Sequence, residues 1–226
     1  IKVIKNIYKT RGFKVTHLVT DTEFCVLRTQ LMAIGIILNE TSADEHVLEI
    51  ERNNRYLKEK VRGTVNSLPF KVLPRVLLKA IIYDATKWMN MFPRSAGVPN
   101  MSPRFIITGL SNGVKIHCRV PIGTYCHVHD EPDPSNTNIP RTTGALALHA
   151  QGNVQGGYNF VNLSTWKILQ RRSWTELPTP SNVIEQVEAR ARKELKLKSD
   201  AAIPDQLAFR RRDKSLILDD PKDVNP

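Results

Sequence analysis

The 226 residues contain no apolar run of the ~20 residues that a membrane-spanning helix needs, and no signal-peptide pattern opens the sequence. Cysteine is scarce. Cys25, Cys118 and Cys126 make three, an odd number that does not suggest a disulfide framework. A reducing compartment, cytosol or nucleus, is the expectation that follows. No internal repeat is visible. Acidic residues are also few: 22 Asp and Glu stand against 33 Lys and Arg, and none precedes Asp21. The formal net charge of +11 points to a polyanionic partner, nucleic acid first and an anionic membrane surface second. Hydrophobic residues make up 41 % of the chain, enough for a buried core, and the length suits one large domain or two small ones.

Hydrophobic periodicity divides the chain. Residues 2 to 10 read as a helix ended by Arg11 and Gly12. "FKVTHLVT" alternates as a strand does, with Asp21 at its end. Phe24, Leu27, Leu31 and Ile34 recur at helical spacing, Gly35 stops them, and "IILN" reads as a short buried strand. A long helix should contain "VLEIERNNRYLKEKVR", followed by a second from Arg75 to Phe92 with Leu77, Ile81, Trp88 and Met91 inward. Residues 94 to 115 are expected to be rich in loops. Beyond Val120 the period falls to two, and "IGTYCHVH", "GALALH", "GYNFVNL" and "WKILQRRSW" read as strands of a small β unit. A last amphipathic helix should run from Ser181 to about Leu195, followed by a charged, flexible linker.

The long helix from residue 47 carries two neighbouring stripes. Ile50, Leu57, Val61 and Val65 form an apolar one; Glu51, Asn54, Arg55, Lys58 and Arg62 form a polar one, a carboxylate followed by amide and cationic side chains. In a layered α/β fold, Asp21 at a strand end and Glu51 on an adjacent helix can share a divalent ion; their hard oxygens suit Mg²⁺ or Mn²⁺. The cations after Glu51 would then hold phosphates near that ion. The same residues also suit a solvated helix face with no chemistry, as in a simple binding module.

Several motifs carry a resemblance. "VTDTEF" and "EIERNNRYLKEKVR" resemble the second and third acidic motifs of retroviral-type integrases, most closely those of Copia-type retrotransposon Pol polyproteins. In that family the Asp motif ends in a Glu-Phe or Glu-Tyr pair, here Glu23-Phe24, and a later helix reads Glu-Arg-x-Asn-Arg-x-Leu, matched by Glu51, Arg52, Asn54, Arg55 and Leu57. "ATKWMNMFP", "MSPRFIITG", "GTYCHVH" and "GNVQGGYNFVNLSTWKIL" resemble later family segments in the family's order, so that the likeness covers roughly residues 10 to 180. "DEHVLEIER" is like the wording of Copia-like elements from diatoms and related algae.

The resemblance implies an α/β fold: a partial RNase H-like integrase core over residues 1–115, a small, mostly β (SH3-like) module over 116–180, and a helix with a flexible linker over 181–226. It implies DNA as partner, both element ends and target, and a homo-oligomer in the intact enzyme, which would act in nucleus and cytoplasm without membrane association. Asp21 and Glu51 would be two of three catalytic metal ligands for Mg²⁺ or Mn²⁺ in 3′-processing and strand transfer. Asn54, Arg55, Lys58 and Arg62 would contact nucleic acid, with Lys167, Arg171 and Arg172 on the β module.

The departures are specific. The loop before Glu51 reads "SADEHVLEIER" rather than the family's His/Pro/Gln/Asn/Gly-rich stretch, and the interval from Asp21 is short, so Glu45 and Glu49 compete for the metal role. The family's first Asp and its His/Cys zinc module have no counterpart here. The expectation is therefore a fragment or degenerate copy that does not catalyse strand transfer alone. The alternative is a non-catalytic DNA-binding or assembly remnant, decayed or domesticated.

His117, Cys118, Cys126, His127 and His129 fit no usual zinc spacing and are expected to be packed strand residues. Trp88 is expected in the core and Trp174, beside Arg171 and Arg172, at the surface. "GNVQGG" reads as a hairpin turn, and "FRRRDK", 209 to 214, as a charged tail.

Overall fold

The computed structural model describes residues 1–20, 22–41, 48–95, 97–110, 113–129, 138 and 140–196, with the backbone alone at Leu48 and Glu49. The chain mixes helix and sheet in two compact units that interleave in sequence. Unit one takes Ile1–Val61, Ile82–Arg119 and Ala150–Gly156; unit two takes Arg62–Ile81, Val120–His149 and Gly157–Pro226, the last segment being described as far as Lys196. The "FRRRDK" segment and the linker lie outside the described residues.

In unit one, helix α1 (Lys2–Lys9) and helix α2 (Arg28–Ala33) stop in the same way. Gly12 and Gly35 take left-handed φ values of 81° and 71°, which glycine adopts without a Cβ penalty. After each, the next amide reaches five residues back: Phe13 N–H to Tyr8 O at 3.1 Å, and Ile36 N–H to Leu31 O at 2.9 Å. The apolar pair that accompanies this motif is present both times. Tyr8 meets Phe13 edge-on at 6.3 Å, and Leu31 and Ile36 are both buried. The chain then enters strands β1 (His17–Thr20) and β2 (Ile37–Glu40), which pair in parallel with His17 opposite Ile37 and Thr20 opposite Glu40. The predicted helix from Phe24 is a 3-10 turn, Thr22–Leu27, before α2 begins; Leu31 is buried and Phe24 is exposed. Ile37 is exposed as well, so of the expected buried strand it is Ile36, just before β2, that lies inside.

Helix α3 (Leu48–Ser67) runs unbroken for 20 residues. Its apolar stripe is buried at Val61 and half-buried at Leu57 and Val65, while Ile50 is exposed. Helix α4 (Arg75–Met91) buries Leu77, Ile81 and Met91. "MSPRFIITG", expected within a loop-rich stretch, holds a short helix, α5 (Pro103–Thr108). Ser102 caps it by accepting from Phe105 N–H at 3.1 Å, Pro103 starts it and left-handed Gly109 ends it. Helix α6 (Val114–His117) follows.

Unit two is built on a five-stranded sheet: β3 (Tyr125–His129), β4 (Thr142–Ala150), β5 (Tyr158–Asn162), β6 (Ile168–Arg171) and β7 (Trp174–Glu176), in the order β6-β5-β4-β3-β7. The single strand expected from "WKILQRRSW" is thus two strands at opposite edges of the sheet, separated by only Arg172 and Ser173. Three residues of chain reach about 10 Å, so the sheet must roll until its edges approach. Inside lie Cys126, Val128, Leu146, Leu148, Tyr158, Phe160 and Val161. Helix α7 (Ser181–Leu195) spans the predicted range and buries Val183, Val187 and Ala191, one residue per turn. Two of its acids accept backbone amides near the start of α4: Glu188 from Lys71 N–H and Glu194 from Arg75 N–H, each at 2.8 Å. A carboxylate suits the Arg75 amide, one of the first-turn donors that a helix cannot satisfy itself.

Candidate nucleic-acid interface

On α3, Glu51, Asn54 and Arg55 are exposed and Lys58 and Arg62 half-buried. At 100° per residue, Glu51, Arg55, Lys58 and Arg62 share one flank, and Asn54 falls within the angular span of the apolar stripe, between Val61 and Val65. The helix therefore offers three cations within three turns, preceded by one carboxylate. Glu51 to Arg55 is also the favourable acid-to-base spacing along a helix, so the face is locally self-consistent whether or not it meets a ligand.

Asp21 and Glu45 lie outside the described residues, as does the side chain of Glu49. What is described is the end of β1 immediately before Asp21. In parallel α/β sheets, ligands gather at the carboxyl ends of strands. At that end here, Thr20 stands opposite Glu40, a carboxylate that the sequence reading passed over. Its position as the first acid after the apolar run "IGIILN" was the available signal. Arg28 donates to Glu40 Oε1 through two nitrogens, at 2.5 and 3.2 Å. That guanidinium, and then the Cys25 thiol, hold the Glu40 carboxyl below the usual carboxylate range. The Cys25 thiol is pushed up in turn, chiefly by its hydrogen bond to Glu40. Among the described residues, no three His, Cys, Asp or Glu side chains gather as a metal-ligand group.

Of the five residues expected to be packed on strands, Cys126, His127 and His129 lie on β3 in unit two, whereas His117 ends helix α6 and Cys118 caps it in unit one. Along β3, Cys126 and Val128 are buried, while His127 is half-buried and His129 exposed. His127 lies between Tyr125 Oη at 3.0 Å and Thr142 Oγ1 at 3.4 Å. Burial pushes the Cys126 thiol up to about 12, so it is a packed neutral group at ordinary pH.

His117 is only 4 % exposed, and its Nδ1 has no hydrogen-bond partner among the described residues. Lys87 donates to the His117 carbonyl at 2.8 Å and stands 3.6 Å from Asp84. Burial, then Arg104 and Lys87, lower the His117 pKa. The folded state thus resists a proton that the unfolded chain takes up near 6.5. Stability should fall as pH drops through that value, down to the depressed folded pKa. His117→Gln should abolish that component, read as the difference in denaturant midpoint between pH 8 and pH 5. An identical pH slope in both proteins would refute the assignment.

On unit two, Lys167 and Arg172 are exposed and Arg171 is half-buried. Arg171 Nε donates to the His129 carbonyl at 2.6 Å, tying β6 to the end of β3. Trp174, expected at the surface, instead packs against Tyr158 at 4.9 Å and Phe160 at 5.3 Å, because β7 crosses to the far edge of the rolled sheet. Trp88 reverses its expectation too. It is 37 % exposed, since Ala85 and Met91 take the inward positions at that end of α4.

These features define a basic, mixed helix-and-sheet protein whose longest helix carries an acid and a run of cations on one flank. No protein-family model matches the chain, and no curated protein matches it. No described helix is long and apolar enough to cross a membrane.

Proposed function

We propose that the chain is part of a Copia-type retrotransposon integrase and binds DNA along α3. The observation that carries this reading is the unbroken helix itself, which aligns Glu51, Arg55, Lys58 and Arg62 on one flank. Family-like motifs in the family's order support it. So does the second unit: four strands in sequence, with a short fifth returning to β3, suit the expected SH3-like module. The parallel β1–β2 pair with a helix in its crossover suits a partial RNase H-like core.

In this reading Arg55, Lys58 and Arg62 neutralise phosphates, Asn54 adds a hydrogen bond, and Lys167, Arg171 and Arg172 make phosphate contacts of their own on the β module. Asp21 and Glu51 would hold Mg²⁺ or Mn²⁺, and their hard oxygens are the right donors. Such ions activate a water or 3′-hydroxyl and stabilise the leaving oxygen in phosphodiester chemistry. Glu40 fits the role poorly, because Arg28 already neutralises it.

The test separates the two roles. Glu51→Gln should keep or raise DNA affinity while removing Mn²⁺ binding, read by titration calorimetry. Lys58→Ala should weaken DNA binding and lower its log–log salt slope by about 0.9. Equal losses from both substitutions would sink the division of labour. DNA binding with Mn²⁺ binding indifferent to Glu51 would favour a non-catalytic DNA-binding remnant.

A further inference from the structure

The C-terminal end of α4 exposes an aromatic stack that the preceding reading does not use. Trp88 and Phe92 lie 5.5 Å apart with planes 15° from parallel, and 37 % and 43 % of their surfaces are exposed. The indole is fixed rather than loose, since Trp88 Nε1 donates to Asp84 Oδ2 at 3.0 Å. Asp84 is itself beside the Lys87 ammonium, so the acid under the stack is neutralised. Two residues beyond Phe92, Arg94 uses one of its five N–H donors on Asn53 Oδ1 at 3.2 Å. That bond holds the guanidinium at α3, and among the described residues most of its fork is left to other acceptors.

A preformed aromatic platform with an anchored cation two residues further along the chain is the arrangement that takes unpaired bases. The ring offers a face to any base, and the cation meets the adjoining phosphate. A protein partner would also value exposed aromatics, but the chain's net charge of +11 favours a polyanion. Duplex DNA hides its base faces, so the platform selects single strands. We propose that Trp88 and Phe92 form a stacking subsite for an unpaired nucleobase of single-stranded nucleic acid, with Arg94 on the neighbouring phosphate. This rests on the nucleic-acid reading above and adds strand selectivity to it.

The test compares a short oligothymidylate with a duplex of equal length, on the full chain. Trp88→Leu should weaken single-strand binding about 10-fold, and Trp88→Tyr should keep most of it, as expected for loss and retention of one stacked base. Duplex affinity should stay within about 2-fold in both, because base faces are not available there. The wild-type protein should show tryptophan quenching by oligothymidylate that is missing in Trp88→Leu. Arg94→Ala should lower the single-strand salt slope by about 0.7. If Trp88→Leu shifts the melting temperature, Phe92→Leu replaces it. Unchanged single-strand binding, or an equal loss on duplex, overturns the subsite alone. So does a change confined to self-association, which would mark a protein contact. Failure of the wild-type chain to bind either nucleic acid overturns this subsite and the DNA-binding function together.

Discussion

Phe160→Ala is expected to lower the unfolding free energy by about 3–5 kcal/mol, the range for truncating a buried aromatic. Phe160 is wholly buried on β5 and is the shared neighbour of Tyr158 and Trp174, whose rings lie 6.4 and 5.3 Å away. Removing it takes the packed face from both rings and leaves a cavity that rolled strands close poorly. Domains hold only about 5–15 kcal/mol in all, so the variant should populate the unfolded state at 37 °C. Phe160→Leu, which keeps most of the volume, should lose much less. Urea titration followed by tryptophan fluorescence and far-UV circular dichroism reads both. A loss below about 1 kcal/mol for Phe160→Ala would mean that the aromatic cluster does not hold the sheet together.

Arg55→Ala, Lys58→Ala and Arg62→Ala combined should reduce the duplex salt slope by about 2.7, at 0.9 per phosphate contact. Wild-type affinity should therefore fall more steeply with salt than that of the variant. Between 50 and 200 mM salt the gap between them should close by roughly 1.6 orders of magnitude, and at low salt the variant should be the weaker binder by at least that factor. The substitutions leave Val61, the buried anchor of α3, in place, so helix content should hold by circular dichroism. An unchanged slope would make this flank a solvated helix surface.

The sequence announced what depends on local signals. Gly12 and Gly35 marked helix ends because the left-handed turn needs them, and α7 showed its range through Val183, Val187 and Ala191. Alternation along "YCHVH" placed Cys126 and Val128 inward. The misses came from tertiary context. Nothing local says that Arg172 and Ser173 cross between opposite edges of a sheet, which is why Trp174 was placed outside. Helix α5 was signalled by Ser102, Pro103 and Gly109, but six residues are too few for a clear period. Of the candidate site, the flank of α3 follows from helical spacing alone. The pairing of Thr20 with Glu40 needed the register of two strands far apart in sequence.

The brief passage from β6 to β7 has a consequence beyond shape. These outer strands are the shortest of the five, four and three residues, and the chain that joins them brings their margins together. A sheet finished in this way offers no long row of unsatisfied amides and carbonyls on which a foreign strand can template itself. Unit two is thereby guarded against fibrous self-assembly by its own curvature, in addition to the charges that Arg171 and Glu176 place on its outer strands.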